Sequence, residues 1–445
     1  MKFKTLFKTV LITFLAVTVF SCSDDDDTTF PSTSTTIADF VAENADYSSL
    51  LAALQKAELV ETLSGNGPFT VFAPNNAAFD EFLTANGLTL ETATKDQLTP
   101  ILLNHVLNVK VTSGEIETGY VTNVADFSSY ISKSGSEVKI NNQAMVTTAD
   151  VDRSNGVIHA VDKVISIPKM IDFVAIDPNL SSLATVATDN SATVISALSD
   201  EASSLTLLAP NNAAFTALGD VSGLSSTQLE QILLNHAISG KLQSTDLSTG
   251  YGNTLATYGT TDKNLSIYIN TDGGVEFNGI STVTTANIVT SNGVIHIVDA
   301  VITLPTVVTF ATADANFSTL VAALTTLTPS TDFVAILNTA LGTSPAPFTV
   351  FAPNNDAFAA ITVPTDENDV AAILNHHVVA GSNVTSDMLA STPMAMTLNG
   401  TITLTAMPPT VKGATNMDPS NIVAADVQAS NGVIHVIDQV LLPVM

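Results

Sequence analysis

The residues best suited to chemistry are the seven histidines, at positions 105, 159, 236, 296, 376, 377 and 435. They fall in two settings. One is an apolar helical stripe, "LLNHVL" from Leu102, "LLNHAI" from Leu233 and "ILNHHV" from Ile373; the other is an apolar strand, "SNGVIH" from Ser154, Ser291 and Ser430. Matching the strings pairs His105 with His159, His236 with His296 and His376 with His435. Two imidazoles without a cysteine or a fixed carboxylate fall short of the three or four protein ligands that zinc takes. The expected role is therefore a core histidine bonded to backbone, because a buried polar group needs a partner. His377, standing where the other copies have Val106 and Ala237, is the extra one and is expected to face solvent or a neighbouring domain.

The carboxylates are no more promising. Asp162, Asp299 and Asp438 share the apolar strand and suggest a capping role. "DVDRSNG" from Asp150 begins like a calcium loop, but Asn155 stands where glycine belongs and Val161 where the closing glutamate belongs. The other copies lack the pattern. No G-x-S-x-G elbow and no H-E-x-x-H pair occurs, so nucleophilic and zinc-hydrolase chemistry have no identifiable residues. The sequence implies no catalytic residue, no metal and no cofactor.

Cys22 is the only cysteine. It follows Lys2, Lys4, Lys8 and an apolar run from Val10 to Phe20, which is too short for a comfortable membrane span and reads as a secretory signal over residues 1–21. "VTVFSC" resembles a bacterial lipobox, which implies a lipid on Cys22 and a membrane as partner. Four aspartates at 24–27 and a Ser/Thr-rich stretch make residues 22–35 an extended tether. An acidic run after the lipidated cysteine also resembles an export tag to the outer face of an outer membrane.

The net charge is −28, and Arg153 is the sole arginine. Such a chain has no basic patch for phosphate backbones, which excludes nucleic acid as a partner. Without cysteines beyond Cys22, stability must come from packing.

What positions these residues is a domain copied three times. "FTVFAPNNAAF" from Phe69 returns as "LTLLAPNNAAF" from Leu205 and "FTVFAPNNDAF" from Phe348. Pro74, Pro210 and Pro353 recur about 140 residues apart, as do His159, His296 and His435. Prolines at 168 and 305 end copies, giving domains at 36–168, 169–305 and 306–445. In each, a helix with Asp46 or Ser48 as its N-cap leads to a buried strand. The prolines end that strand, and Asn75, Asn211 and Asn354, or the asparagines after them, cap the next helix. Thr94 and Gln97 form a capping box for the helix that carries Leu98, Ile101, Leu102 and His105. β-rich segments follow and end in "NGVIH". There Gly156, Gly293 and Gly432 are expected to supply a positive-φ turn, and alternation puts Val157, His159 and Val161 on one side and Ile158 and Ala160 on the other. Apolar residues on both faces make this strand central, in an α+β domain.

In that order and spacing, the three blocks resemble the signature boxes and the intervening histidine motif of the fasciclin domain, over most of the chain from about Ile37. The resemblance implies β-sandwich wedges flanked by helices, acting as extracellular adhesion or matrix-binding modules rather than enzymes. The features linked to integrin contact in animal relatives have no counterpart: Asn104, Asn235 and Asn375 precede the middle histidine with no tyrosine. The expectation is a lipid-anchored surface protein whose three domains bind an extracellular protein or glycan. A spacer, or a binder of a small apolar molecule or glycan in a cleft, is the alternative.

Overall fold

The computed structural model describes residues 35–444, so Cys22, the acidic run and nearly all of the tether lie outside the described residues. Three units repeat one plan. In the first, helices Ile37–Glu43, Ser48–Lys56 and Val60–Ser64 lead into the strand Phe69–Pro74, and helices Asn76–Ala85 and Lys95–Asn104 follow. The remaining strands complete a seven-stranded sheet in the order 106–107, 69–74, 156–161, 144–153, 137–140, 128–134, 119–122. Gly156–Val161 runs parallel to Phe69–Pro74, with His159 opposite Phe72, and antiparallel to the long strand Ala144–Arg153.

The sheet curls until its ends meet. In the second domain a ladder pair, Thr254 with Ile238, closes it into a barrel. In the first and third, one backbone hydrogen bond spans the same gap, from Val124 N to Val106 O at 2.8 Å and from Leu398 N to Val378 O at 2.9 Å. The curl explains why the last strand is apolar on both faces. Ile158 and Ala160 pack into the core beneath the helices with Leu50, Leu54, Phe79 and Leu102. Val161 joins Phe72, Ile131 and Ile140 in a second core inside the curl. The strand Gly156–Val161 is buried at every residue, and full burial of a residue such as Ile158 stabilises by about 2–3 kcal/mol.

Of the three glycines expected to supply a positive φ, Gly156 does so, at +158°, and Gly293 and Gly432 do not, while all three meet a further need. A Cβ on Gly156 would lie 2.1 Å from the carbonyl oxygen of Phe69, on Gly293 2.2 Å from that of Leu205, and on Gly432 2.3 Å from that of Phe348. Their role is close approach of two parallel strands, which no side chain permits.

The helix starts also differ in part. Asn44, rather than Asp46 or Ser48, supplies the cap ahead of the helix from Ser48, accepting from Asp46 N at 3.0 Å at the head of a 3-10 turn that feeds it. The capping box of Thr94 and Gln97 is present. After each proline, the first asparagine caps: Asn75, Asn211 and Asn354 accept from the N–H three residues on at 2.8–2.9 Å. The second asparagine staples the preceding helix, as when Asn76 Oδ1 accepts from Ser49 N at 2.9 Å.

Candidate functional site

The strand histidines are fully buried. His159 Nε2 donates to Val111 O at 2.9 Å, His296 to Leu242 O at 2.9 Å and His435 to Val384 O at 2.8 Å. In each, Nδ1 faces a backbone N–H on the bulged partner strand, that of Asp150, Asn287 or Asp426, at 3.3–3.4 Å. The bulge residues have φ near +60°, and their side chains reach across to pin a loop: Asp150 takes Ser113 N at 2.7 Å, Asn287 takes Ser244 N at 2.7 Å, and Asp426 takes Ser386 N at 2.7 Å. Hydrogen bonds from Ser113 hold the Asp150 carboxyl below its ordinary range. This is how the start of the apparent calcium loop is used.

The helix histidines are equally committed, with one correction. His105 Nδ1 donates to Ile101 O at 2.7 Å, and its Nε2 accepts from Ile165 N at 2.8 Å. His236 repeats this with Ile232 O at 2.7 Å and Ile302 N at 2.9 Å. In the third domain the residue that does so is His377, with Ile373 O and Leu441 N both at 2.8 Å, and not His376. His376 stands where the other copies have Asn104 and Asn235. It is buried, with Nδ1 on Asn399 O at 2.6 Å and Nε2 accepting from Ala414 N at 3.2 Å. His377 is thus a core residue rather than the solvent-facing extra. Burial pushes His105, His236 and His377 down to about 4, and lowers His296 and His435 as well. A second proton on these rings would also meet a backbone N–H, so the neutral form is the one that fits.

The remaining motif residues are tied up too. Asp162, Asp299 and Asp438 accept from the backbone N–H of Met145, Thr282 and Asn421 at 2.7–2.8 Å, bracing strands rather than capping helices. Asn155, expected only to turn the chain, binds Ile37 N through Oδ1 at 2.9 Å and Leu63 O and Gly65 O through Nδ2. Asn292 and Asn431 do the same. Among the described residues no group of three or more His, Cys, Asp or Glu is placed to hold a metal ion.

The sequence reading missed the joints between domains. Tyr120 and Tyr130 of the first domain pack into the core of the second, where Tyr120 meets Phe173 edge-on at 5.3 Å between ring centroids. Its hydroxyl donates to Asp177 Oδ2 at 2.9 Å, and Ser128 Oγ accepts from Val289 N at 2.9 Å. The next joint copies it: Tyr251 meets Phe310 at 5.7 Å and donates to Asp314 Oδ2 at 2.9 Å, while Ser266 Oγ accepts from Gln428 N at 2.9 Å. Burial, and then the charge of Asp177 or Asp314, raises both Tyr120 and Tyr251 well above the ordinary phenol range. At the two ends the device stops. Phe40, the first-domain counterpart of Phe173, is covered by the Arg153 guanidinium at 4.5 Å, and Asn44 replaces the aspartate. In the third domain Met394, 63% exposed, and Thr403 occupy the tyrosine places, opposite one another across their ladder. The available signal was that four of six tyrosines recur at matching positions in two copies and vanish in the third.

The fasciclin domain model matches residues 45–168, 178–305 and 315–443. The chain belongs to the fasciclin domain family. This fasciclin-domain chain is 44% identical over 135 residues to protein sll1483 of Synechocystis, covering 30% of this chain and 74% of that protein. It is 28% identical over 409 residues to the transforming growth factor-beta-induced protein ig-h3 of Sus scrofa, covering 89% of this chain and 56% of the relative. Against human periostin the figures are 28% over 332 residues, 73% and 38%. It thus spans about half or less of these animal relatives. A FAS1 domain pair from the insect cell adhesion molecule Fasciclin I is 18% identical, with a TM-score of 0.40 over 58% of this chain and 97% of that one.

Proposed function

We propose that this protein is a non-catalytic cell-surface adhesion or ligand-binding protein, tethered by a lipid on Cys22 to the outer membrane and presenting three fasciclin domains outward. The observation that carries the reading is the commitment of the repeated motifs. The six motif histidines have both ring nitrogens bonded within the protein, which leaves the triplicated residues no chemistry to offer a substrate. Recognition then belongs to the surface loops, where an acidic, stacked array multiplies weak contacts with an extracellular protein or glycan. Family membership supports a non-enzymatic, adhesion-type role. The tyrosine joints favour a second reading, a spacer of fixed length, because they stack the domains rather than string them. Deleting the gene, or shaving intact cells with protease, should reduce aggregation and attachment to matrix-coated surfaces. Unchanged attachment with the protein absent would refute the adhesion role and favour the spacer.

A further inference from the structure

In the third domain the helices Val307–Ala313, Ser318–Thr325 and Phe333–Leu337 leave a gap over the strands Phe348–Pro353 and Gly432–Ile437. The cavity has a volume of about 80 Å³. Its depth is walled by apolar side chains such as Val307, Ala311, Phe317, Leu320 and Val350. The deepest polar group is His377, whose two nitrogens are already bonded to Ile373 O and Leu441 N. A polar ligand atom placed there would lose water and find no partner. At the mouth, Val321 and Leu324 are half-buried, and Thr312 and Thr325 stand exposed.

Comparison with the other two copies accounts for the space. Val307 N bonds the Asn431 side chain as Ile37 N bonds Asn155 and Met170 N bonds Asn292, so Val307 stands where the other domains carry isoleucine and methionine. One turn on, Ala311 stands where they carry Val41 and Val174. Both changes remove carbon atoms from the same wall.

We propose that this cavity binds the end of the alkyl chain of a neutral amphiphile, with the head group in water beside Thr312 and Thr325. At the roughly 30 Å³ that a water-sized group takes in a liquid, a cavity of about 80 Å³ holds only the last few carbon atoms of a tail. A neutral head follows from charge: from residue 306 onward the only lysine or arginine is Lys412, whose Nζ is held by Met417 O, and the histidines are buried, so a carboxylate head finds no cation in an acidic surface. The site deepens the ligand-binding reading, yet its test does not depend on adhesion.

The test titrates the full chain with 1-decanoylglycerol below its micellar concentration, using calorimetry for affinity and native mass spectrometry for stoichiometry. Decanoate, indole and phosphatidylcholine vesicles form separate arms. The expected result is one equivalent per chain, with decanoate at least tenfold weaker. Val307→Met with Ala311→Val, the pair found in the second domain, should weaken binding at least tenfold. Ala311→Val alone should weaken it at least threefold and serves if the double variant folds poorly. Uptake from vesicles alone, lost in the same variants, assigns the tail to a bilayer lipid and keeps the site. Absence of saturable uptake in both the glyceride and vesicle arms, three equivalents per chain, tighter binding of indole, or binding unchanged by the substitutions would overturn it.

Discussion

His105 gives the sharpest prediction. Its folded value is about 4 because burial penalises the imidazolium, while an unfolded histidine titrates near 6.5. The unfolded state therefore binds the extra proton as pH falls, and stability present above pH 6.5 is lost on the way down to pH 4. Between pH 7 and pH 4.5 this amounts to about 2 kcal/mol, since the unfolded state gains a factor of roughly a hundred in binding and the native state almost none. His236 and His377 contribute the same in their domains, so the whole chain becomes steeply acid-sensitive in this window. The lowered aspartates, such as Asp150 and Asp152, act below pH 3.8 and leave it clear. Replacing His105→Gln keeps a donor for Ile101 O and an acceptor for Ile165 N but cannot titrate. Urea unfolding of both proteins at pH 7, 6, 5 and 4.5 should show the variant losing about 2 kcal/mol less than the wild type in its first domain. Parallel pH curves for the two proteins would refute the buried, neutral imidazole.

Other outcomes follow from the same geometry. Gly156→Ala drives a Cβ against the Phe69 carbonyl and should lower first-domain stability by more than about 3 kcal/mol, seen as loss of its thermal transition; an unshifted transition would mean the parallel strands can part freely. Tyr120→Phe leaves Asp177 without its hydroxyl partner and should cost about 1–2 kcal/mol at the first joint. Small-angle scattering on that variant should show a longer-tailed distance distribution, and an identical profile would deny the bond a role in stacking. Cys22→Ala should abolish labelling by a palmitate analogue and move the protein from membrane to soluble fractions; retention in the membrane would point to a signal anchor instead.

Much of the fold was legible because punctuation residues have local mechanisms. Pro74 ends a strand and Asn75 caps a helix whatever lies around them, so "APNN" could be read without tertiary knowledge. The strand "GVIH" announced burial on both faces because two cores meet across it. In the third copy the shared letters Asn-His fall one position early, on Asn375 and His376. The helix histidine is defined by the isoleucine carbonyl four residues before it, at Ile101, Ile232 and Ile373, and that spacing selects His377. The close approach at the glycines is hidden for a similar reason, since the need at Gly156 comes from Phe69, which lies far back in the sequence. The tyrosine joints escaped altogether. A residue whose partner sits in the next copy looks like surface when each copy is read alone, and Tyr120 declares itself only once Phe173 and Asp177 are beside it.

The most direct measurement is capture: the full chain, wild type and His159→Gln, applied to an array of extracellular matrix proteins and glycans at a temperature where both are folded. A partner retained by the wild type should be retained equally by the variant and released unaltered. Capture lost with the imidazole while the fold persists, or chemical conversion of the partner, would contradict it.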